Sequence, residues 1–176
     1  VNERKHSFPP VVDPQVRLLV LGSLPGERSL AERRYYAHPQ NQFWRLISPA
    51  AGVDLPSLPY DARLEALLAA HIGLWDVVAS ATRPGSTDAA MRDIEGHDIA
   101  ALAATLPDLR AIAFNGGTAL RHGLKQLGAA AVRYEIVALP SSSPLHTIGF
   151  HAKLPAWHAL SAWLKADSGP FPHRPS

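Results

Sequence analysis

Val16-Arg-Leu-Leu-Val-Leu-Gly-Ser-Leu-Pro-Gly26 is a nearly unbroken apolar run that passes straight into a Gly/Pro-rich turn. An apolar run without alternation is the pattern of a strand covered on both faces, as in a parallel sheet. Gly22 and Gly26 let the backbone approach a ligand, Pro25 stiffens the turn, and main-chain N–H groups beyond a strand end suit a polar or anionic partner.

Downstream, strand-like and helix-like patterns alternate. A basic stretch, Arg28 to Arg34, reads as exposed; Asn41 then precedes Phe43, Trp44, Leu46 and Ile47, whose spacing predicts a helix with Asn41 near its N-cap. Asp61 opens a second helix that turns Leu64, Leu67 and Leu68 inward, and Ile72 to Val78 reads as a strand ending in a long polar loop, Ala79 to Asp88. Asp98 to Leu106 is a helix stopped by Pro107. Leu109 to Phe114 is a strand that enters Asn115-Gly-Gly117 and returns through a helix over Thr118 to Leu127. Glu135 to Leu139 is the next strand, followed by Pro140-Ser-Ser-Ser-Pro144, and a last helix covers Ala152 to Lys165 with Leu154, Trp157, Leu160, Ser161 and Leu164 on one face. Upstream, Val1 to Gln15 reads as an extended lead-in whose Phe8, Val11 and Val12 pack on the body. The expectation is an α/β fold: a three-layer α/β/α domain over residues 1–167 with a central four-stranded parallel sheet, and a flexible tail over 168–176. In such sheets the ligand crevice lies outside the carboxyl ends of the strands, so Gly22 to Gly26, Asp76 to Asp88, Asn115 to Thr118 and Pro140 to Leu145 should converge.

Composition narrows the function. Of 176 residues, 47% are hydrophobic and 18% charged, a globular balance, and no apolar run approaches the ~20 residues of a membrane span. The charged N-terminus leads into Ser7-Phe-Pro-Pro10 and not into an apolar core, so no secretory signal is read and the expected compartment is cytoplasmic. Without Cys there is no disulfide, Cys-ligated zinc or iron–sulfur cluster, and the histidines form no clean metal triad; no cofactor is expected. A formal net charge of +2 means that a nucleic-acid face must come from local clustering.

Residue chemistry leaves alternatives open. The glycine turn matches neither a phosphate-binding loop nor a dinucleotide fingerprint. Asn41 could orient a water or read a base edge, with Phe43 stacking on a planar ring, or it could cap its helix while Phe43 and Trp44 fill core. Ser141, Ser142 and Ser143 lack the elbow of a serine nucleophile assisted by His146, and a stiff small-residue loop suits phosphate contacts, or is a plain turn. Arg83 could grip a phosphate or decorate the surface, and Asp76 could assist a water or cap a loop.

Gly22-Ser-Leu-Pro-Gly26, Tyr35-Tyr-Ala-His-Pro-Gln-Asn-Gln-Phe-Trp44, Gly73-Leu-Trp-Asp-Val77, Gly85-Ser-Thr-Asp88 and Leu139-Pro-Ser-Ser-Ser-Pro144 together resemble the uracil-DNA glycosylase superfamily, and within it the hypoxanthine-DNA glycosylase family. The resemblance runs from Phe8 to about Trp163. It implies a monomeric, metal-free enzyme that removes deaminated bases from duplex DNA, with single-stranded DNA as a further candidate. Leu24 stands where mismatch-specific relatives carry a water-positioning Asn, and Leu139 where uracil-specific relatives carry a His, so the resemblance assigns the chemistry to Asn41; Asp76, the carboxylate placed near the pocket, is the second catalytic candidate. Gly22, Ser23, Leu24, Phe43 and Asn115 are then the base-binding candidates. Arg83, Ser86, Ser141, Ser142, Ser143, Pro144, Leu145 and His146 are the DNA-binding candidates, with Pro144 and Leu145 entering the base stack. The competing readings are a uracil- or mismatch-directed glycosylase, a lesion-binding protein that does not cut, and an unrelated small-molecule enzyme.

Overall fold

The computed structural model describes residues 3–165. The expected tail over 168–176 lies outside them. Four parallel strands form the central sheet: β2 (Leu18–Gly22), β3 (Ile72–Asp76), β6 (Ala111–Asn115) and β7 (Glu135–Leu139), in the order β3-β2-β6-β7. Because successive side chains of a strand point to opposite faces, β2 divides its apolar run between two cores. Leu19 and Leu21 join Ile112 and Phe114 on one face; Leu18 and Val20 join Ala111 and Ala113 on the other.

Helices cover both faces, as the alternating pattern required. On the first lie α4 (Ile99–Ala104) and α5 (Gly117–Leu127), contributing Ile99, Ala103, Ala119 and Leu127. On the second lie α2 (Phe43–Ala51), α3 (Tyr60–Ala69) and α6 (Phe150–His158), contributing Phe43, Leu46, Ile47, Leu67 and Trp157. Of the inward leucines of α3, Leu64 packs on the second core and Leu68 on the first. The last helix is shorter than its apolar pattern: α6 carries Pro155 inside and gives way to a 3-10 turn over Ala159–Trp163. Strand order reverses between β2 and β6, the switch point at which loops from neighbouring strands diverge and open a crevice.

The basic stretch after the glycine turn exposes Arg28, Arg33 and Arg34 as expected and forms a short helix, α1 (Glu27–Glu32), whose Ser29 is buried. The polar loop expected after β3 needs correction: Ala79 to Thr82 is no loop. The chain leaves β3, turns at Val77, and continues as β4 (Val78–Thr82), the middle strand of a second, antiparallel sheet between β1 (Arg4–His6) and β5 (Arg92–Gly96). The lead-in is therefore partly a strand, with Arg4 opposite Thr82 and His6 opposite Ser80. Phe8 and Val11 do pack on the second core, and Val11 also bridges to Leu74.

Among the described residues no helix is long and apolar enough to cross a membrane. None of their His, Asp and Glu side chains gather into a group of three or more that could hold a metal ion.

Candidate active site

A cleft of about 480 Å3 opens at the carboxyl ends of the parallel strands. Residues from all four expected segments line it: Gly22 to Gly26 at the end of β2, Asp76 at the end of β3 with Ser86 to Asp88 after β4, Asn115 at the end of β6, and Ser141 to His146 after β7. Asn41 and Tyr36, from the segment that leads into α2, complete the wall.

Asn41 holds the start of α2 and also lines the cleft. Its Oδ1 accepts from the Phe43 backbone N–H at 3.0 Å and so caps the start of α2, while its own N–H donates to the His38 carbonyl. The Nδ2 group has no protein acceptor among the described residues. A capped amide has its rotamer fixed, and its donor edge is left for a ligand in the cleft.

Asp76 ends β3 only 3% exposed, and its Oδ2 has no hydrogen-bond partner among the described residues. Burial raises its pKa to about 7, with the nearby Asp88 carboxylate adding to the rise and Arg83 opposing it. The absence of a side chain at Gly22 makes room for this carboxylate. A Cβ at that position would stand 2.7 Å from Asp76 Oδ1 and 3.0 Å from Tyr36 Oη, so both oxygens converge over the Gly22 backbone. Asp88 is itself buried enough that its pKa is raised, and it accepts from Ser23 Oγ at 2.7 Å. The Ser23 hydroxyl is thus engaged in holding the turn.

Phe43 does not face the cleft. It is fully buried, and Tyr36 lies flat on it with ring centroids 3.9 Å apart and planes 15° from parallel. Tyr36 therefore presents the aromatic face that the sequence assigned to Phe43, and Phe43 backs it. Tyr36 carries φ +53, a left-handed conformation unusual for an aromatic residue, while the buried Tyr35, its ring 6.2 Å away and tilted by 35°, donates its hydroxyl to the Pro9 carbonyl. Nothing in the paired tyrosines of the sequence tells one from the other.

Asn115 is largely committed to the scaffold. Its Nδ2 donates to Tyr36 Oη and Ser142 Oγ, and its Oδ1 accepts from the Ser142 N–H at 2.8 Å. One carboxamide thus ties the aromatic platform to the serine loop. Ser142 is consumed in that tie, whereas Ser141 and Ser143 stabilise the loop locally by accepting from the N–H groups of Ser143 and Leu145. Pro144, Leu145 and His146 form the exposed rim, and Leu145 is 65% exposed although apolar. Ser86 Oγ accepts from the Glu27 N–H at the opposite edge.

Arg83 is the clearest correction. Only 1% exposed, it donates to the carbonyls of Gly85, Leu24 and Pro25. The guanidinium braces the glycine turn from beneath: three of its five N–H groups go to main-chain oxygens, and its burial leaves no exposed edge for a phosphate. Arg83→Met is expected to destabilise the fold by about 3 kcal/mol, since these buried carbonyls lose their donors. The midpoint of chemical denaturation should fall while the salt dependence of DNA binding stays as in the wild type. A shallower dependence would return Arg83 to the phosphate contacts.

Chemically, the cleft offers an aromatic platform, a fixed amide donor and a buried carboxylate that titrates near neutrality. A small-residue loop with an exposed leucine stands at its mouth. This set suits a flat, polar heterocycle that enters from an anionic polymer. Comparison with known proteins agrees. The sequence profile of the Uracil DNA glycosylase superfamily matches residues 9–165. A protein named hypoxanthine DNA glycosylase from Methanosarcina barkeri is 38% identical over 154 residues, covering 88% of this chain and 96% of the relative. Its namesake from Methanosarcina acetivorans is 40% identical over 141 residues, covering 79% and 86%. The NMR structure of a candidate uracil DNA glycosylase from Methanosarcina acetivorans superposes with a TM-score of 0.80 at 36% identity, covering 92% of this chain and 99% of that one. With the profile spanning nearly every described residue and the cleft at the same strand ends that the motifs mark, the chain belongs to the uracil DNA glycosylase superfamily.

Proposed function

We propose that this protein is a DNA glycosylase that hydrolyses the N-glycosidic bond of deoxyinosine, releasing hypoxanthine and leaving an abasic site for base excision repair. The observation that carries the reading is the pairing, in one cleft, of a capped Asn41 with a free amide edge and a buried Asp76 with an unpartnered oxygen. Identity of 38–40% to relatives named for hypoxanthine selects the base within the superfamily. The protein is read as acting on duplex DNA, as a monomer, in the cytoplasm.

A base in a duplex is out of reach, so the nucleotide is extruded; the exposed Pro144 and Leu145 fill the gap in the stack. The flipped base rests on Tyr36. As the C1′–N9 bond breaks, its electron pair leaves with the base and positive charge develops on the sugar. The Asn41 Nδ2–H group stabilises the departing base anion. An amide is no effective base, so the incoming water is oriented by Asp76, whose ionised carboxylate accepts its proton as the new C1′–O bond forms.

Duplexes carrying inosine, uracil, xanthine or a thymine mismatch separate the readings. Abasic product is expected fastest from inosine. Faster release from uracil would make the protein a uracil-directed enzyme on the same scaffold, and tight binding without product at enzyme excess would make it a lesion-binding protein.

A further inference from the structure

Behind the serine loop lies a cation that the mechanism above does not use. Lys153 belongs to α6 and is 0% exposed. Its ammonium donates to Gln42 Oε1 at 2.9 Å and to the Ser143 carbonyl at 3.2 Å. Both partners are neutral, and the described residues place no carboxylate within 4.0 Å of it. Burial alone lowers its pKa, with no acidic neighbour to offset the effect. A buried ammonium without a counter-charge costs stability, and an anion arriving from outside the chain would offset that cost.

The surroundings show where that anion would come. Gln42, just ahead of α2, donates its backbone N–H to the Ser142 carbonyl at 3.0 Å while its side chain holds Lys153. Gln42 and Lys153 therefore grip the carbonyls of Ser142 and Ser143 from the protein side. On the other side the same loop lines the cleft mouth with Ser141, Ser143 and the exposed Leu145. The loop that Lys153 holds through the Ser143 carbonyl is thus the loop that lines the cleft mouth, and a charge taken out of water is poorly screened.

We propose that Lys153 is the buried charge of a DNA-phosphate site whose contact surface is the Ser141–Leu145 loop. It is a positioning residue: through the Ser143 carbonyl it fixes the loop, and its uncompensated charge attracts the backbone phosphate flanking the extruded nucleotide. The proposal rests on the DNA glycosylase reading.

A tether and a charge are separated by Gln42→Glu. The new carboxylate would sit where Gln42 Oε1 now accepts from Lys153, keeping the grip and cancelling the charge. Binding to a deoxyinosine duplex is measured across a salt series for the wild type, Gln42→Glu and Lys153→Met, with thermal melts of each. Gln42→Glu is expected to melt at or above the wild-type temperature, to bind about 10-fold more weakly at low salt, and to lose about one unit from the slope of log K against log salt, the share of one phosphate contact. Lys153→Met should show the same loss of slope with a lower melting temperature. If either fails to fold, the slope of the other decides. Wild-type slope in a folded variant would reduce Lys153 to a structural tether. If the wild type itself neither binds nor cleaves lesion DNA, the glycosylase reading fails, and this one with it.

Discussion

Asn41→Ser is expected to slow single-turnover release of hypoxanthine from a deoxyinosine duplex by about 10^2–10^3-fold, the usual cost of removing one donor aimed at developing negative charge. It should do so while melting like the wild type. The choice of serine follows from the two tasks of the side chain. Asn41 Oδ1 caps α2 through the Phe43 N–H, and serine caps about as well as asparagine, so stability is retained. What serine lacks is the Nδ2–H edge that faces the cleft. Asn41→Ala would lose the cap as well, about 1 kcal/mol, and would mix a folding effect into the rate. A folded Asn41→Ser enzyme that releases hypoxanthine within a few-fold of the wild-type rate would remove Asn41 from the chemistry.

Asp76→Asn should be comparably damaging, about 10^2-fold or more in the chemical step, and it carries a pH signature. With its pKa raised to about 7 by burial and by Asp88, Asp76 is protonated on the acidic side of neutrality and can accept the proton of water only above it. The wild-type single-turnover rate should climb with pH through about 7 and then level, and Asp76→Asn should lose this climb. Stability moves the other way. Between the ordinary value of 3.8 and about 7 the native state keeps a proton that the unfolded chain has released, so wild-type stability falls as pH rises across that window. Asp76→Asn abolishes this fall, and the variant should melt several degrees above the wild type at pH 8, though it is the poorer enzyme. A wild-type rate that is flat from pH 5 to 8 would exclude Asp76 as the water's base.

This trade of stability against chemistry is localised. The carboxylate fits only because Gly22 leaves space beside it, and the turn that carries Gly22 is itself held by Arg83 and by the Ser23–Asp88 hydrogen bond. The glycine turn thus works as a cradle, and the groups with open hydrogen-bonding capacity, Asn41 and Asp76, project from its neighbours.

Much of this was legible in the sequence. The unbroken apolar run of β2 shows a strand covered on both faces, and the Asn41–Ile47 pattern gives α2 and its cap. The loops that line the cleft follow from where the strands end. The second sheet was not legible: β4 pairs with β1 and β5, strands of mostly polar and partly or fully exposed residues without apolar alternation, and β1 lies more than 70 residues away along the chain. Lys153 had a faint signal, since it precedes Trp157 by four residues and Leu160 by seven, the spacing of one buried helix face. The preference for polar residues outside argued against reading it so.

By itself, then, the sequence determined the three-layer architecture and the strand ends that build the cleft, and the family resemblance pointed to Asn41 because Leu24 and Leu139 stand where relatives carry an amide or an imidazole. Periodicity is a property of the chain, and it suffices for the architecture. Only the tertiary structure decided the partners of the polar groups. It gave the aromatic platform to Tyr36 over Phe43, turned Arg83 inward onto three carbonyls, spent Asn115 on bracing, left one oxygen of Asp76 unpaired, and buried Lys153 without a counter-charge. A hydrogen bond or a lost hydration shell depends on which distant segments meet, and spacing along the chain does not contain that information.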